Sequence, residues 1–245
     1  MALHFLLDDA SAAGIGDAVL LAGAEAHHAA TVRRVREGEA VTVGDGRGAW
    51  LEGTCEVVAP REVIVRVTAR IDVPAPRPRI VLAQALAKGD RDELAVQAAT
   101  KLGVDEIVPW QAARSVSRWD AAKAEKGRAR WSTIVREAAK QAHRAWIPEV
   151  ARLATTAALA SRAAASRLVV LEPTASDRLT ELELDPSDGR DVLLIVGPEG
   201  GVAAEELDAL IAAGARAVRL GETVLRTSTA GPAALAVVSA RLGRW

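Results

Sequence analysis

The sequence predicts an α/β protein in two parts, a small β-rich domain followed by a parallel sheet with helices on both faces. Three observations predict it. Val73 to Pro78 reads VPAPRP, with three prolines in five positions, a stiff extended connector of the kind that separates domains. Before it stand runs rich in β-branched residues. After it, apolar runs alternate with helix-like segments, the pattern of a parallel sheet. The division is therefore 1–72, a linker at 73–78, and 79–245.

In the first part AVTV (40–43), AWLEGTCEVV (49–58) and EVIVRVT (62–68) read as strands of a small barrel or sandwich. GDGRG between the first two reads as a hairpin loop, because no helix follows it to make a phosphate loop. Behind the linker, RIVLAQAL (79–86) reads as a buried strand and DRDELAVQAATKLG (90–103) as a helix. That helix carries acids in its first turn and ends at Gly103, as the macrodipole and a glycine cap favour. EIVPW (106–110) is the next strand, followed by a long basic helix over 121–144 and a helix over 155–166. RLVVL (167–171) and DVLLIV (191–196) are strands, AAEELDALIAAG (203–214) a helix, AVRL (217–220) a strand and TAGPAALAVVSARLG (229–243) the last helix.

Composition excludes several classes. No apolar run approaches the about 18 residues of a membrane span. The start, MALHFLLDDA, lacks a basic n-region and meets Asp8 and Asp9 early, so it does not read as a signal peptide. Cys55 is the single cysteine, which rules out an internal disulfide and fits a reducing, cytoplasmic compartment. His4, His27, His28 and His143 have no HExxH spacing, and no metal is expected. The net charge is −1, but its distribution is uneven. Arg114 to Trp146 holds nine Lys/Arg against three acids, whereas Glu149 to Trp245 holds ten against thirteen. Such a basic stretch is either a phosphate-facing surface or a solvated helix face.

In open parallel sheets ligands sit outside the carboxyl ends of the strands. Three such ends carry unusual loops: LEPTAS (171–176), GPEGG (197–201) and GETVLRTST (221–229). GPEGG alone leaves two readings open, a tight turn or a loop whose backbone a ligand touches. There is no GxxxxGK[ST] stretch, and Glu199 would repel a phosphate. A cationic ligand suits these loops better. S-adenosylmethionine, with a sulfonium, an adenine and ribose hydroxyls, needs the backbone groups and the carboxylate that they offer.

GPEGG after a buried strand, then LGETVLRTSTA before a terminal helix, resembles the SPOUT class of knotted methyltransferases. The whole chain resembles, more narrowly, the ribosomal RNA small-subunit methyltransferase E family. The supporting stretches are HHAATVRRVREGE (27–39), LAKGDRDELAVQAATKLGVDEIVP (86–109), RSV (114–116), EAAKQAHRAWIPEV (137–150) and the last two loops. The resemblance implies a PUA-like β-barrel over 1–72 and an α/β-knot, S-adenosyl-L-methionine-dependent methyltransferase domain over 79–245, working as a homodimer. It also implies methylation of N3 of a uridine in small-subunit (16S) ribosomal RNA, free or in the assembled subunit.

The residues this implies for the cofactor are Leu171, Glu172, Gly197, Gly200, Gly201, Leu220, Gly221, Leu225 and Thr227. For the chemistry it implies Arg226 and Glu199. Arg226 either supplies a cation for the uridine anion or forms an ion pair with Glu199 or Glu222. Glu199 either faces the cofactor or shapes its loop, and no general base is named. Arg33, Arg34, Arg36, Arg114, Lys140 and Arg144 are the candidate RNA contacts, with Trp146 as a stacking surface. The chain departs from the family where relatives often read LRTET: here it is LRTST, with Ser228 expected at the helix start and Pro232 in the first turn. Two other functions remain open, a knotted transfer-RNA ribose methyltransferase and an RNA-binding assembly factor without catalysis.

Overall fold

Residues 2–245 are described by the computed structural model, in which the chain divides into two units. One comprises Met1–Ala75 with Ala139–Ile147, the other Pro76–Ala138 with Pro148–Trp245.

The first unit contains β1 (Leu3–Leu6), β2 (Ala18–Ala22), α1 (Gly23–His27), β3 (Ala40–Gly44), β4 (Ala49–Ala59) and β5 (Glu62–Asp72). They form one mixed sheet in the order β1-β3-β4-β5-β2, parallel only between β1 and β3. The strands predicted over 40–68 are present; β1 and β2, at the edges, are too short for a period to show. In β4 the residues Ala49, Leu51, Gly53 and Cys55 are buried in alternation, which places one face on a core with Phe5, Leu21, Val43, Val63 and Val65. Two register shifts between β4 and β5 bend the pair.

GDGRG is the hairpin loop between β3 and β4. A Cβ on Gly48 would lie 2.8 Å from Trp146 Cζ2, and one on Gly46 would lie 2.4 Å from Ile147 Cδ1. Both positions have positive φ as well. The glycines thus admit the segment 139–147, whose Trp146 Nε1 donates to the Val73 carbonyl at 2.9 Å. Trp146 is a half-buried packing residue of this unit, not an open stacking surface.

The second unit runs β6 (Ile80–Ala85), α2 (Arg91–Lys101), β7 (Glu106–Trp110), then α3 (Ala121–Gln141), whose last residues count with the first unit. After them come β8 (Glu149–Val150), α4 (Thr156–Ala160), β9 (Ser166–Leu171), β10 (Asp191–Val196), α5 (Ala204–Ala212), β11 (Arg216–Val218) and α6 (Thr227–Arg241). The six strands form one all-parallel sheet in the order β11-β9-β10-β6-β7-β8. Every residue of β6 and β10 is buried, as expected of strands covered on both faces. Val81, Ala83, Leu193 and Ile195 pack with Leu159 of α4 and Leu210 of α5. On the opposite face α6 lies against Leu82 and Val196, with Gly231 so close that a Cβ there would stand 3.1 Å from Leu82 Cδ1.

Three local expectations change. The helix predicted over 155–166 is only α4 plus a tight 3-10 turn, Ser161–Ala164, because Ser166 already pairs with Asp191 as the first residue of β9. The basic helix stops at Gln141 rather than 144, with His143 at φ 52. The last helix starts at Thr227, with Arg226 as its N-cap, so Ser228 is its second residue and Pro232 its sixth. Pro232 therefore lies in the second turn and removes a helical N–H there. Among the described residues no helix is long and apolar enough to cross a membrane.

Candidate functional site

Strand register brings the three unusual loops together. Leu171, the last residue of β9, pairs with Val196 at the end of β10 and with Val218 at the end of β11. The loops that follow these ends therefore leave the sheet side by side, at its carboxyl edge. They enclose a cavity of about 370 Å³, within the range of about 300–1,000 Å³ usual for small-ligand sites.

Ten of the eleven residues implied for cofactor and chemistry line that cavity: Leu171, Glu172, Gly197, Glu199, Gly201, Leu220, Gly221, Leu225, Arg226 and Thr227. Gly200 does not; a Cβ there would instead meet Arg114 Cβ at 3.4 Å. At Gly197 a Cβ would come within 2.9 Å of Val202 Cγ2, and Gly201 has φ 73, so two positions of GPEGG need glycine. The lining also includes Arg91 and Arg219, which sequence alone did not single out. Arg219 Nη1 donates to the Ala175 carbonyl at 2.7 Å and to the Ser176 carbonyl, tying the loop after β11 to the loop after β9.

The charged residues divide by partner. Glu199 Oε1 accepts from Lys88 N–H at 3.1 Å and from Arg91 Nη1 at 2.8 Å. Burial pushes the Glu199 carboxyl up, but hydrogen bonds from the backbone and from Arg91 outweigh it, and the net direction is down. A carboxylate so held is a weak proton acceptor. These bonds join GPEGG to the start of α2, and Glu199 also lies on the cavity lining. Glu222 pairs with Arg178 at 3.3 Å and Arg219 at 3.8 Å. Both acids considered as partners for Arg226 are thus engaged elsewhere, and among the described residues Arg226 has no ion pair. It is an exposed cation on the cavity lining.

Thr227 has no hydroxyl hydrogen to spare for a ligand. Its Oγ1 donates to the Gly197 carbonyl at 2.9 Å and accepts from Gln84 Nε2 at 2.9 Å. Gln84 was missed from sequence, although one amide inside the apolar run RIVLAQAL is a visible signal.

The candidate RNA contacts are divided between the two units. Arg33, Arg34 and Arg36 are exposed in the first unit, just beyond the π-helical turn His28–Val32 that follows α1, around buried Val35. Arg114 belongs to the second unit, and its Nη1 donates to the Gly200 carbonyl at 3.1 Å. Arg144 is half-buried in the first unit. Lys140 is a correction: it is 8% exposed and its ammonium bonds Glu25 Oε1 at 2.7 Å, so it is an internal ion pair of the first unit. In α3 itself, Lys123 pairs with Asp120, Arg128 with Glu125 and Arg130 with Glu93, which neutralises part of the basic face.

A parallel sheet with a glycine-lined cavity at its carboxyl edge, in a chain that also holds a small mixed sheet, defines a class that comparison makes specific. Residues 74–239 match a family described as an RNA methyltransferase domain, and residues 21–68 match an RNA methyltransferase PUA domain. The ribosomal RNA small subunit methyltransferase E of Mycobacterium bovis is 43% identical over 235 residues, covering 94% of this chain and 89% of that protein. The protein of the same name from Bacillus subtilis is 32% identical, covering 89% of this chain and 88% of its own. Among solved structures, a ribosomal RNA small subunit methyltransferase E from Neisseria gonorrhoeae bound to S-adenosyl methionine superposes with a TM-score of 0.84 at 27% identity, over 98% of each chain. A Legionella pneumophila chain in complex with bound S-adenosylmethionine does so at 0.85 and 30%, again over 98% of each. The chain belongs to the ribosomal RNA small-subunit methyltransferase E family, with a SPOUT-type methyltransferase domain and a PUA domain.

Proposed function

We propose that the cavity at the ends of β9, β10 and β11 binds S-adenosyl-L-methionine and that the chain methylates small-subunit ribosomal RNA at N3 of a uridine. The observation that carries the reading is the convergence of ten implied residues on one cavity, with an unpaired arginine among them. The cavity walls fit the cofactor. Leu171, Leu220 and Leu225 suit a purine face, Gly197, Gly201 and Gly221 bring backbone to the lining without side chains, and Glu172 adds a carboxylate. When bound, the cofactor supplies an electrophilic methyl group.

The chain's own residues have three tasks. The loop backbones hold and orient the reactants, which for an in-line transfer accounts for a large share of acceleration. Arg226 faces the uridine and stabilises the negative charge left when the N3 proton departs. Glu199 keeps GPEGG in place. Arg33, Arg34, Arg36 and Arg114 contact RNA phosphates, which give affinity without reading sequence. The 1–72 and 79–245 division, a cytoplasmic site of action, a homodimer and a knotted chain in the second unit belong to the same reading.

Purified protein with labelled S-adenosylmethionine should be offered unmodified small ribosomal subunits, free small-subunit RNA and transfer RNA. Label recovered as N3-methyluridine in either small-subunit substrate is the expected result. Label in transfer RNA alone overturns the target, and cofactor binding without transfer to any substrate overturns the catalytic reading.

A further inference from the structure

Gln84 is the buried polar side chain in the centre of the parallel sheet that the reading above leaves without a role. It lies in β6, fully buried, with Val196 and Pro109 as its neighbours in register. By the alternation of β6 it shares a face with Leu82, the face that meets α6. Its Nε2 donates to Thr227 Oγ1 at 2.9 Å and to the Ala85 carbonyl at 3.2 Å. Its Oε1 is buried with no partner.

The proton order in this chain is fixed by chemistry. An amide nitrogen has two hydrogens and accepts nothing. Thr227 Oγ1 must therefore accept from Gln84, which leaves the hydroxyl hydrogen for the Gly197 carbonyl. Flipping the amide would turn Gln84 Oε1 toward Thr227, compete for that hydrogen and strand two buried donors instead of one acceptor. The direction Gln84 to Thr227 to Gly197 is the one that satisfies most groups.

The two outer links sit on different walls. Gly197 opens GPEGG, Thr227 is the first residue of α6, and both line the cavity, whereas Gln84 stands behind them in the sheet. Leaving an amide oxygen unpaired in an apolar strand destabilises the fold. A hydrocarbon side chain would fill the same space without that cost, so packing does not explain the residue.

We propose that Gln84 is a positioning residue of the cofactor cavity. Through the Thr227 hydroxyl it fixes the direction of the Gly197 carbonyl and pins the start of α6 to the end of β10, so the two walls are set before the ligand arrives. This rests on the cofactor reading of the cavity.

The test uses the full chain with Gln84→Met, Thr227→Val and Thr227→Ser. S-adenosylmethionine affinity is measured by calorimetry and the melting temperature without ligand. Gln84→Met keeps the volume and removes the hydrogen bonds; tenfold or greater loss of affinity is expected, with a Tm within a few degrees of wild type. Thr227→Val should lose as much, Thr227→Ser, which keeps the hydroxyl, should bind at least fivefold more tightly than Thr227→Val, and the Gln84→Met/Thr227→Val pair should be no worse than either alone, as for residues in one chain. The threonine variants decide the matter from the other end of the chain if Gln84→Met does not fold. Affinity within twofold of wild type in Gln84→Met or Thr227→Val overturns this inference alone. Wild-type protein that binds no S-adenosylmethionine overturns the cofactor reading and this inference with it.

Discussion

Glu199→Gln separates a brace from a base. The substitution keeps an oxygen able to accept from Lys88 N–H and Arg91 Nη1, which now stand at 3.1 and 2.8 Å, and removes only the charge. The ion pair has side chains 44% and 26% exposed, so losing its charge costs at most about 1 kcal/mol. Glu199→Ala loses both hydrogen bonds too, at about 1 kcal/mol each, and should cost about 2–3 kcal/mol in total. A general base, by contrast, is worth a factor of about 10² to 10⁴ in rate. Glu199→Gln should retain methyl transfer to small-subunit RNA within tenfold, and Glu199→Ala should fall further through weaker cofactor binding. The assays are label transfer over a range of cofactor concentrations, which separates KM from kcat, and urea unfolding. The sign with pH follows from the lowered carboxyl: its contribution is present above the unfolded glutamate pKa and fades as pH falls through the folded one. The stability gap between wild type and Glu199→Gln should therefore close in acid. A hundredfold loss of turnover in Glu199→Gln at unchanged cofactor affinity would rule out a brace and place Glu199 in the chemistry.

Arg226→Gln should lower kcat about 10²- to 10³-fold, as removal of a charge-stabilising donor does, while S-adenosylmethionine affinity measured by calorimetry stays within a few-fold. Gly127→Ala, in the middle of α3, would set a Cβ 2.4 Å from Trp119 Cζ2. The clash should outweigh the about 1 kcal/mol gained in helix propensity and leave a net loss of about 1–2 kcal/mol in urea unfolding; a stabilised variant contradicts it. His4 is stacked on Trp50 at 4.4 Å and its pKa is pushed down to about 4, first by burial and then by His143 and Lys140. It is neutral in the fold while the unfolded chain binds a proton, so stability should drop by about 3 kcal/mol as pH falls from 6.5 to 4. His4→Phe should flatten thermal stability over that range, and an unchanged slope would remove His4 as its cause.

The cavity was legible because its parts announce themselves locally. Runs such as DVLLIV read as strands buried on both faces, and glycines at their ends read as tight turns or as loops where backbone is needed. What sequence hides is partnership at long range. Lys140 looks like a surface charge in a basic stretch, yet its partner Glu25 is 115 residues away. Arg91 and Lys88 read as the start of an ordinary helix, and only the fold sets Glu199 against them. The alanine-rich run over 155–166 has high helix propensity throughout, but pairing of Ser166 with Asp191 claims its end for β9. The first-turn place expected for Pro232 failed for a similar reason: α6 begins at Thr227, a residue buried by its bonds to Gln84 and Gly197.

The central claim is that the three loops after β9, β10 and β11 form the cofactor site. A crystal structure of the chain grown with S-adenosylmethionine tests it most directly. The ligand is expected against Leu171, Gly197, Leu220 and Leu225, with Arg226 free of any protein carboxylate. Ligand density at another place in the chain, or Arg226 turned into an ion pair away from the cavity, would contradict it.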